Sequence, residues 1–449
     1  MSSAIGSKKR TLVNFLSLAI LQIGNYVLPM ITLPIISRII GPEKYGAVNY
    51  AFAFVGYFIL FINAGFDLYG TRKIISFNGD KQKIQELFSR ITFAKLYISI
   101  VSTIIFIGCL FWFDQLRDEK LVNIFTYLLC IGWILNPSWL YNGMQDSRRY
   151  AVFSFISKLL FSVAVVLVVT ERSDYIYHPL ITSLAHILVS LVSFYWALKK
   201  YDLRFQFIKW KDVIQTLKEN RTLSLIWWIS NQASSTGIIV AGFLLITTDV
   251  GYYSAALRLI IIIQSIVSMP LNTVLFPYIG EAFGQGYDAG IKRVHQSFPY
   301  LVFLAIAMAA GTFIIAKPLI LLFFGSEFTS AIDLLKISAF ALLFSTINSA
   351  LGQQIMLNLK KDAVHIRFLL AGFILNVVLL IVFINLYGTI GAAIAWPVSE
   401  VILFIGYMFY FKSQKVKVFN FSYYKPAFIY SNMMEMVRSR RLRKKPVMQ

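Results

Sequence analysis

Charged side chains occur inside several long apolar stretches of the 449-residue chain. Such groups are costly in lipid and usually face a cavity or a partner. The candidates are Arg38, Lys95, Lys158, Arg258, Arg367 and Glu400. We assign the five cations as candidate substrate contacts, because a diphosphate accepts charge-assisted hydrogen bonds from both lysine and arginine. For Arg38, Lys95 and Arg367 the alternative is snorkelling, in which a long side chain carries its charge to the head groups.

Depth in the membrane separates these candidates. Lys158 lies eight residues beyond Tyr150, or about 12 Å at 1.5 Å per residue. Arg258 lies about as deep in a later stretch. Glu400 lies near the middle of its stretch and is too short to reach the head groups. It must pair with a cation, be protonated or line water, which makes it a candidate for coupling to H⁺ or Na⁺.

Prolines interrupt the same apolar stretches in both halves of the chain. They are Pro29, Pro34, Pro137, Pro270, Pro277 and Pro397. Broken helices are where transporters bend and where backbone groups become free to meet a substrate. We predict bends at Pro29, Pro34, Pro270 and Pro397.

Enzyme and metal chemistry lack a matching pattern. The sequence contains no HExxH, GxxxxGK[ST], CxxC or GxSxG motif. Its four histidines are scattered without ligand spacing, and Cys109 and Cys130 lie in apolar runs, as inert small hydrophobes do. We therefore predict no catalytic residues, no metal and no cofactor beyond a coupling ion.

The elements that carry these residues are membrane spans. The chain is 58% hydrophobic and only 14% charged, whereas soluble proteins carry about 25% charged residues. Apolar runs of about 20 residues recur from end to end. We predict an all-α polytopic membrane protein with twelve transmembrane helices, near 12–37, 46–66, 88–113, 121–141, 151–170, 178–198, 222–246, 251–277, 298–323, 331–357, 364–385 and 389–411.

The distribution of lysine and arginine predicts the orientation. Most of the 42 basic residues fall in alternate loops and in the tail, which includes "RSRRLRKK" at 438–445, while the opposite loops are short and nearly neutral. Cytoplasmic loops carry this excess, so both termini are predicted to be cytoplasmic. The same bias accounts for the net charge of +21 without a nucleic-acid partner. The tail suits anionic lipid head groups or a cytoplasmic protein.

An internal repeat organises the spans. Gly46 and Ala51 in "GPEKYGAVNYAFAF" correspond to Gly251 and Ala256 in "TTDVGYYSAALRLI", 205 residues later. We predict two parallel six-helix lobes related by a pseudo-two-fold axis along the membrane normal, enclosing a central cavity. The predicted segments are a cytoplasmic N-terminus at 1–11, an N-lobe at 12–198, a linker at 199–221, a C-lobe at 222–411 and a basic tail at 412–449.

Three stretches resemble Wzx-type polysaccharide flippases of the multidrug/oligosaccharidyl-lipid/polysaccharide exporter superfamily. They are "NFLSLAILQIGNYVLPMITLPIISRIIGPEKYGAVNYAFAF", "FINAGFDLYGTRKI" and "WLYNGMQDSRRYAVFSFISK". The resemblance implies a V-shaped pair of lobes that moves an undecaprenyl-diphosphate-linked oligosaccharide, an O-antigen or capsule repeat unit, between leaflets of the bacterial inner membrane by alternating access. It also implies contact with membrane lipid, with a polysaccharide polymerase and with a chain-length regulator. Arg38 matches the arginine of the family motif.

Other functions stay open at this stage. A cation-coupled small-molecule or drug antiporter would share the fold, although the cationic bias opposes it. A membrane glycan polymerase or glycosyltransferase is opposed by the short outer loops and missing carboxylate clusters. A scaffold for polysaccharide assembly would use the basic tail for docking.

Overall fold

The computed structural model describes the backbone of residues 2–231 and 233–425. Side chains are described from Gly24 onward, except at 26, 226, 230–231, 233–234, 268–270 and 272–273. Met1, the side chains of the predicted N-terminal segment 1–11, the side chain of Pro270 and tail residues 426–449 therefore lie outside the described residues.

Every regular element in this described part is helical. The helices are α1 (Ser2–Asn63), α2 (Phe66–Ser76), α3 (Lys81–Trp112), α4 (Asp114–Asp118), α5 (Lys120–Tyr127), α6 (Leu129–Leu135), α7 (Ser138–Gly143), α8 (Ser147–Val168), α9 (Tyr177–Tyr201), α10 (Trp210–Asn231), α11 (Ala233–Leu244), α12 (Thr247–Pro270), α13 (Phe276–Gln285), α14 (Tyr287–Phe323), α15 (Ala331–Ser349) and α16 (Asp362–Ser413). π-Helical segments at Leu271–Leu275 and Ala350–Met356 follow α12 and α15.

Nine helical segments of the described chain are long and apolar enough to cross a membrane. Two of them contain a break at a glycine with positive φ: Gly41 (φ 69°) within α1 and Gly388 (φ 58°) within α16. Glycine adopts a positive φ without the strain that a side chain would cause. The chain can therefore change direction at Gly41 and Gly388 without a longer loop. The prediction of an all-helical membrane protein is confirmed, and the count of twelve spans stays a prediction.

Contacts divide the chain into two compact units. The first comprises residues 1–255, 317–332 and 384–392, and the second comprises 256–316, 333–383 and 393–449. The boundaries predicted at 198, 222 and 411 stay predictions. The core of the first unit is aromatic and includes Phe66, Phe88 and Trp139. The core of the second includes Phe298, Tyr407 and Phe411, with the π-helical segment at Ala350–Met356.

The predicted linker belongs to the first unit and packs closely within it. Leu203 and Ile208 belong to its aromatic core, which fixes the extended stretch between α9 and α10. Glu219 on α10 accepts hydrogen bonds from Lys73 Nζ at 3.0 Å and Tyr69 Oη at 2.9 Å. The hydrogen bond from the Lys73 ammonium holds the pKa of Glu219 below its ordinary value. On this predicted cytoplasmic side, α10 is thus joined to α2 by side-chain hydrogen bonds.

Candidate substrate and coupling site

The six predicted charged residues are shared between the two units. Arg38, Lys95 and Lys158 lie in the first unit, and Arg258, Arg367 and Glu400 lie in the second. Within each unit, no hydrogen bond or ion pair between described residues joins two of them. Their roles therefore follow from the separate surroundings of each side chain.

Arg38 closes the end of a helix. Its Nη2 donates to the Leu321 and Leu322 carbonyl oxygens at 3.0 and 2.9 Å, and Ser37 Oγ donates to Phe323 O at 3.0 Å. These are terminal carbonyls of α14, which lack donors within their own helix. A cation is favourable at this negative end of the helix dipole. Arg38 thus has a structural role at the end of α14. Its side chain is exposed, and its contact with substrate stays a prediction.

Lys158 ties α8 to α1. Its Nζ donates to the Asn25 backbone oxygen at 2.9 Å, and Ser154, one turn earlier, donates from Oγ to Asn25 Oδ1 at 3.2 Å. The helices approach closely here, since a Cβ on Gly24 would lie 2.6 Å from the Phe155 ring. The Lys158 side chain is half-buried.

Lys95 is enclosed in the first unit. It is 1% exposed, and its Nζ donates to the carbonyl oxygens of Trp133 at 3.2 Å and Asn136 at 3.4 Å. Pro137 breaks the helix at this point, so these carbonyls lack their usual helical donors. The carboxylate of Asp67 attracts the Lys95 ammonium and accepts hydrogen bonds from Asn63 and Ser138. Lys95 therefore has a structural role, because it supplies donors to the carbonyls at the helix break. Its contact with substrate stays a prediction.

We expect Lys95→Met to destabilise the protein. The substitution leaves the buried Asn136 carbonyl and the part-buried Trp133 carbonyl without this donor, at a cost of up to about 1–3 kcal/mol each, and removes the cation near Asp67. The melting temperature of the purified full chain in detergent should fall by several degrees, and the amount inserted in the membrane should fall with it. Lys83→Met is the matched control on α3, because that side chain is 61% exposed. Equal melting temperatures for the two variants would contradict the structural role of Lys95.

The charged groups of Arg258 and Arg367 have no partner among the described residues. Both side chains are exposed, and neither forms a hydrogen bond or ion pair with any described residue. Arg258 is flanked on α12 by Leu257 and Leu259, which are 6% and 3% exposed. An arginine deep in an apolar helix is costly against lipid and favours a water-filled or ligand-filled space. Arg258 is therefore well suited to meet an anion.

Glu400 is held by neutral donors. Its Oε2 accepts from Asn348 Nδ2 at 2.7 Å, and its Oε1 accepts from Trp396 Nε1 at 3.1 Å. Among the described residues it has no cationic partner, and the buried Asn348 Oδ1 has no hydrogen-bond donor. A carboxyl group in such surroundings can bind a proton or lie beside a small cation.

The two halves of the sequence repeat meet in the first unit. A Cβ added to Gly46 would overlap the Thr247 carbonyl oxygen, and a Cβ added to Gly251 would overlap the Pro42 carbonyl oxygen. Pro42 and Thr247 are themselves separated by the repeat offset of 205. The contact is therefore reciprocal. Gly46 of the first repeat lies against Thr247 of the second, and Gly251 of the second lies against Pro42 of the first.

The same end of the first unit carries ion pairs between loops. Arg172 pairs with Glu327, and Lys44 pairs with Glu119 at 3.2 Å. Tyr175 donates to Glu119 at 2.6 Å. Gly41, Lys44, Arg172, Tyr175 and Glu327 border a cleft of about 310 Å³. The turns predicted to be outward-facing are thus bonded to one another.

The predicted bends have different local structures. Pro29 and Pro34 lie within α1, and Pro397 lies within α16, all in continuous helix. Pro270 ends α12, where the π-helical segment begins. Their role as hinges stays a prediction.

Several polar partners were missed from the sequence. Asn25 and Trp133 supply backbone oxygens to lysines, and Asp67, Asn348 and Trp396 surround the buried charges. A signal was available for the first two, since each lies four residues before a proline. The others depend on which helices pack together.

Comparisons with known proteins identify the family. A family model described as "Polysaccharide biosynthesis protein" matches residues 11–283. The chain is 25% identical over 412 residues to the "Putative O-antigen transporter" of Escherichia coli K12, covering 90% of this chain and 97% of that protein. It is 26% identical over 320 residues to the "Succinoglycan biosynthesis transport protein ExoT" of Rhizobium meliloti, covering 69% and 61%.

Solved structures share the fold. The structure titled "Lipid II flippase MurJ, inward closed conformation" matches with a TM-score of 0.74 at 15% identity, covering 94% of this chain and 91% of that one. An inward-facing multidrug resistance MATE transporter of the MOP superfamily matches with a TM-score of 0.69 at 16% identity, covering 87% and 94%. These likenesses concern the fold alone. Because the family model spans more than half of the chain, the protein belongs to the polysaccharide biosynthesis protein family, in agreement with its resemblance to Wzx-type flippases.

Proposed function

We propose that the protein is a flippase for an undecaprenyl-diphosphate-linked oligosaccharide, an O-antigen or capsule repeat unit. It would move this lipid from the cytoplasmic to the periplasmic leaflet of the bacterial inner membrane by alternating access. The observation that carries the proposal is the exposed guanidinium of Arg258, which lies between buried apolar neighbours and has no partner in the described part of the chain. The names of the relatives, an O-antigen transporter and a succinoglycan transport protein, support the same substrate class.

The chemistry of the head group fits the charges. Arginine binds phosphate oxygens through two parallel hydrogen bonds. In this proposal Arg258 and Arg367 contact the diphosphate, Arg38 meets it on the exit side, and the polyprenyl tail stays in lipid. Membrane lipid and the polysaccharide polymerase and chain-length regulator are the proposed partners.

The finer architecture is also proposed. Twelve helices in two six-helix lobes around a central cavity, arranged in a V, accommodate the glycine breaks in α1 and α16. The reciprocal contact of Gly46 and Gly251 supports a pseudo-two-fold axis between the lobes. Both termini are proposed to be cytoplasmic, since the basic loops then lie inside.

Glu400 is the proposed coupling residue. With two neutral donors and no cationic partner among the described residues, it can exchange a proton or bind Na⁺ as the protein changes conformation. Ion binding would then occur at a group separate from the cations that contact the diphosphate.

Complementation tests this function. In a bacterium that lacks its O-antigen flippase, expression of the protein should restore surface polysaccharide, and lipid-linked units should no longer accumulate on the cytoplasmic side. A strain lacking the polymerase is the control, since it already displays single units and should not gain polymer. Drug resistance without restored polysaccharide would instead indicate a small-molecule antiporter.

A further inference from the structure

Two intramembrane lysines share one bonding pattern. Lys158 donates to the carbonyl of Asn25, four residues before Pro29, and Lys95 donates to the carbonyl of Trp133, four residues before Pro137. In a helix, the carbonyl of residue i accepts from the N–H of residue i+4. Proline has no N–H, so each lysine supplies a donor in place of the one that proline lacks.

The two sites differ in backbone and in access. At Pro137 the helix is interrupted, since Asn136 is extended (ψ 112°), and Lys95 is fully enclosed. At Pro29 the helix α1 is continuous, and Lys158 is half-buried. Of these two sites, only Pro29 lies in a regular helix whose side-chain donor a ligand can approach.

An anion would compete for that donor. A phosphate oxygen forms a stronger, charge-assisted hydrogen bond with an ammonium group than a neutral carbonyl does. Once Lys158 turns to a phosphate, the Asn25 carbonyl loses this donor. Helices kink where prolines occur or where water enters the hydrogen-bond ladder, so α1 would become easier to bend at that point.

We propose that Lys158 is the residue through which the anionic head group of the transported lipid acts on α1. The ammonium exchanges the Asn25 carbonyl for phosphate oxygens, and this exchange removes the Lys158 hydrogen bond between α8 and α1 and permits α1 to bend at Pro29. The proposal rests on the proposed function and adds to it the step by which head-group binding changes the conformation of α1.

Spin labels on the full chain test the exchange. Cysteines replace Ile31 and Val163, which are 57% and 52% exposed, in a background with Cys109 and Cys130 changed to serine. In phosphatidylcholine nanodiscs, undecaprenyl diphosphate should shift the distance distribution between the labels, and uncharged undecaprenol should not. A shift produced by phosphatidylglycerol alone would assign the anion to bulk lipid and overturn the proposal.

Two variants test whether the hydrogen bond from Lys158 to the Asn25 carbonyl, and not packing alone, controls the position of α1. Lys158→Met should show the shifted distribution without ligand, and undecaprenyl diphosphate should change it no further. Pro29→Ala restores an N–H for the Asn25 carbonyl, so its distribution should stay unshifted with and without ligand. The double variant, Lys158→Met with Pro29→Ala, should have the same distance distribution as Pro29→Ala. That result would also show that Lys158→Met does not act through a folding defect. A ligand-induced shift in Pro29→Ala equal to that of the unchanged protein would overturn the proposal.

Export assays separate this proposal from the function itself. In the flippase-deficient strain, Lys158→Met should lower surface polysaccharide at least tenfold. The double variant with Pro29→Ala should be as abundant as the unchanged protein and should still not restore export. If the unchanged protein complements but its labels do not respond to undecaprenyl diphosphate, the proposed exchange at Lys158 is wrong and the function stands. If the unchanged protein does not complement, the proposed function is wrong.

Discussion

A Gly251→Ala variant is expected to be inserted in the membrane in normal amount and to lose most polysaccharide export. The added Cβ would overlap the Pro42 carbonyl oxygen and lie 3.3 Å from the Gly46 nitrogen. Both neighbours are backbone atoms, so a change of rotamer cannot relieve the overlap. Overpacking of this kind costs about 1–3 kcal/mol or more, and each 1.4 kcal/mol changes an equilibrium about tenfold. We expect the reciprocal contact to open and export to fall at least about tenfold.

Gly46→Ala should have the same effect, because its Cβ would overlap the Thr247 carbonyl on the equivalent side of the contact. Matched controls are Gly108→Ala and Gly311→Ala, since a Cβ at either position meets no atom within 4 Å. Disulfide formation between cysteines placed at positions 172 and 327 reports whether the joined loops separate. Normal export and crosslinking in Gly251→Ala would show that the close approach is not required.

Arg258→Ala is expected to abolish surface polysaccharide in the complemented strain without lowering the amount of inserted protein. The guanidinium has no partner among the described residues, so its removal costs no native hydrogen bond there. A bond to a charged group contributes about 1.5–3 kcal/mol, which corresponds to a loss of binding of roughly ten- to more than a hundredfold. Arg258→Lys should retain part of the activity, because lysine keeps the charge but loses the two-point contact with phosphate.

Arg117→Ala is a suitable control for Arg258→Ala. Arg117 is 59% exposed and pairs only with its helical neighbour Asp114 among the described residues, and such surface pairs contribute little. Both variants remove one arginine. Unchanged surface polysaccharide in Arg258→Ala would remove this residue from the mechanism and leave Arg367 as the main candidate.

The sequence predicted the helices better than the contacts of their charged residues. Apolar run length is a local property, so the helical class followed directly. From the sequence, snorkelling was the alternative for Lys95 but not for Lys158, whereas packing encloses Lys95 and leaves Lys158 half-buried. The neighbouring helices that decide this difference come from distant parts of the chain.

The repeat shows the same limit. The offset of 205 residues relates Gly46 to Gly251, but equivalence does not predict that the two glycines touch. Likewise, the two carbonyls bound by Arg38 belong to α14, nearly 300 residues away in sequence. The loops that pair at this end, through Arg172 and Glu327, had no sequence signal beyond their opposite charges.

The discontinuous first unit has a consequence for biosynthesis. The carbonyl partners of Arg38 lie 283 and 284 residues further along the chain, and the unit is completed only by residues 384–392. At synthesis rates of about 5–20 residues per second, Arg38 is made roughly 15 seconds to a minute before those carbonyls exist. The nascent protein must therefore keep this cation hydrated or among head groups until the end of α14 arrives, which suits an arginine placed beside a turn rather than in mid-span.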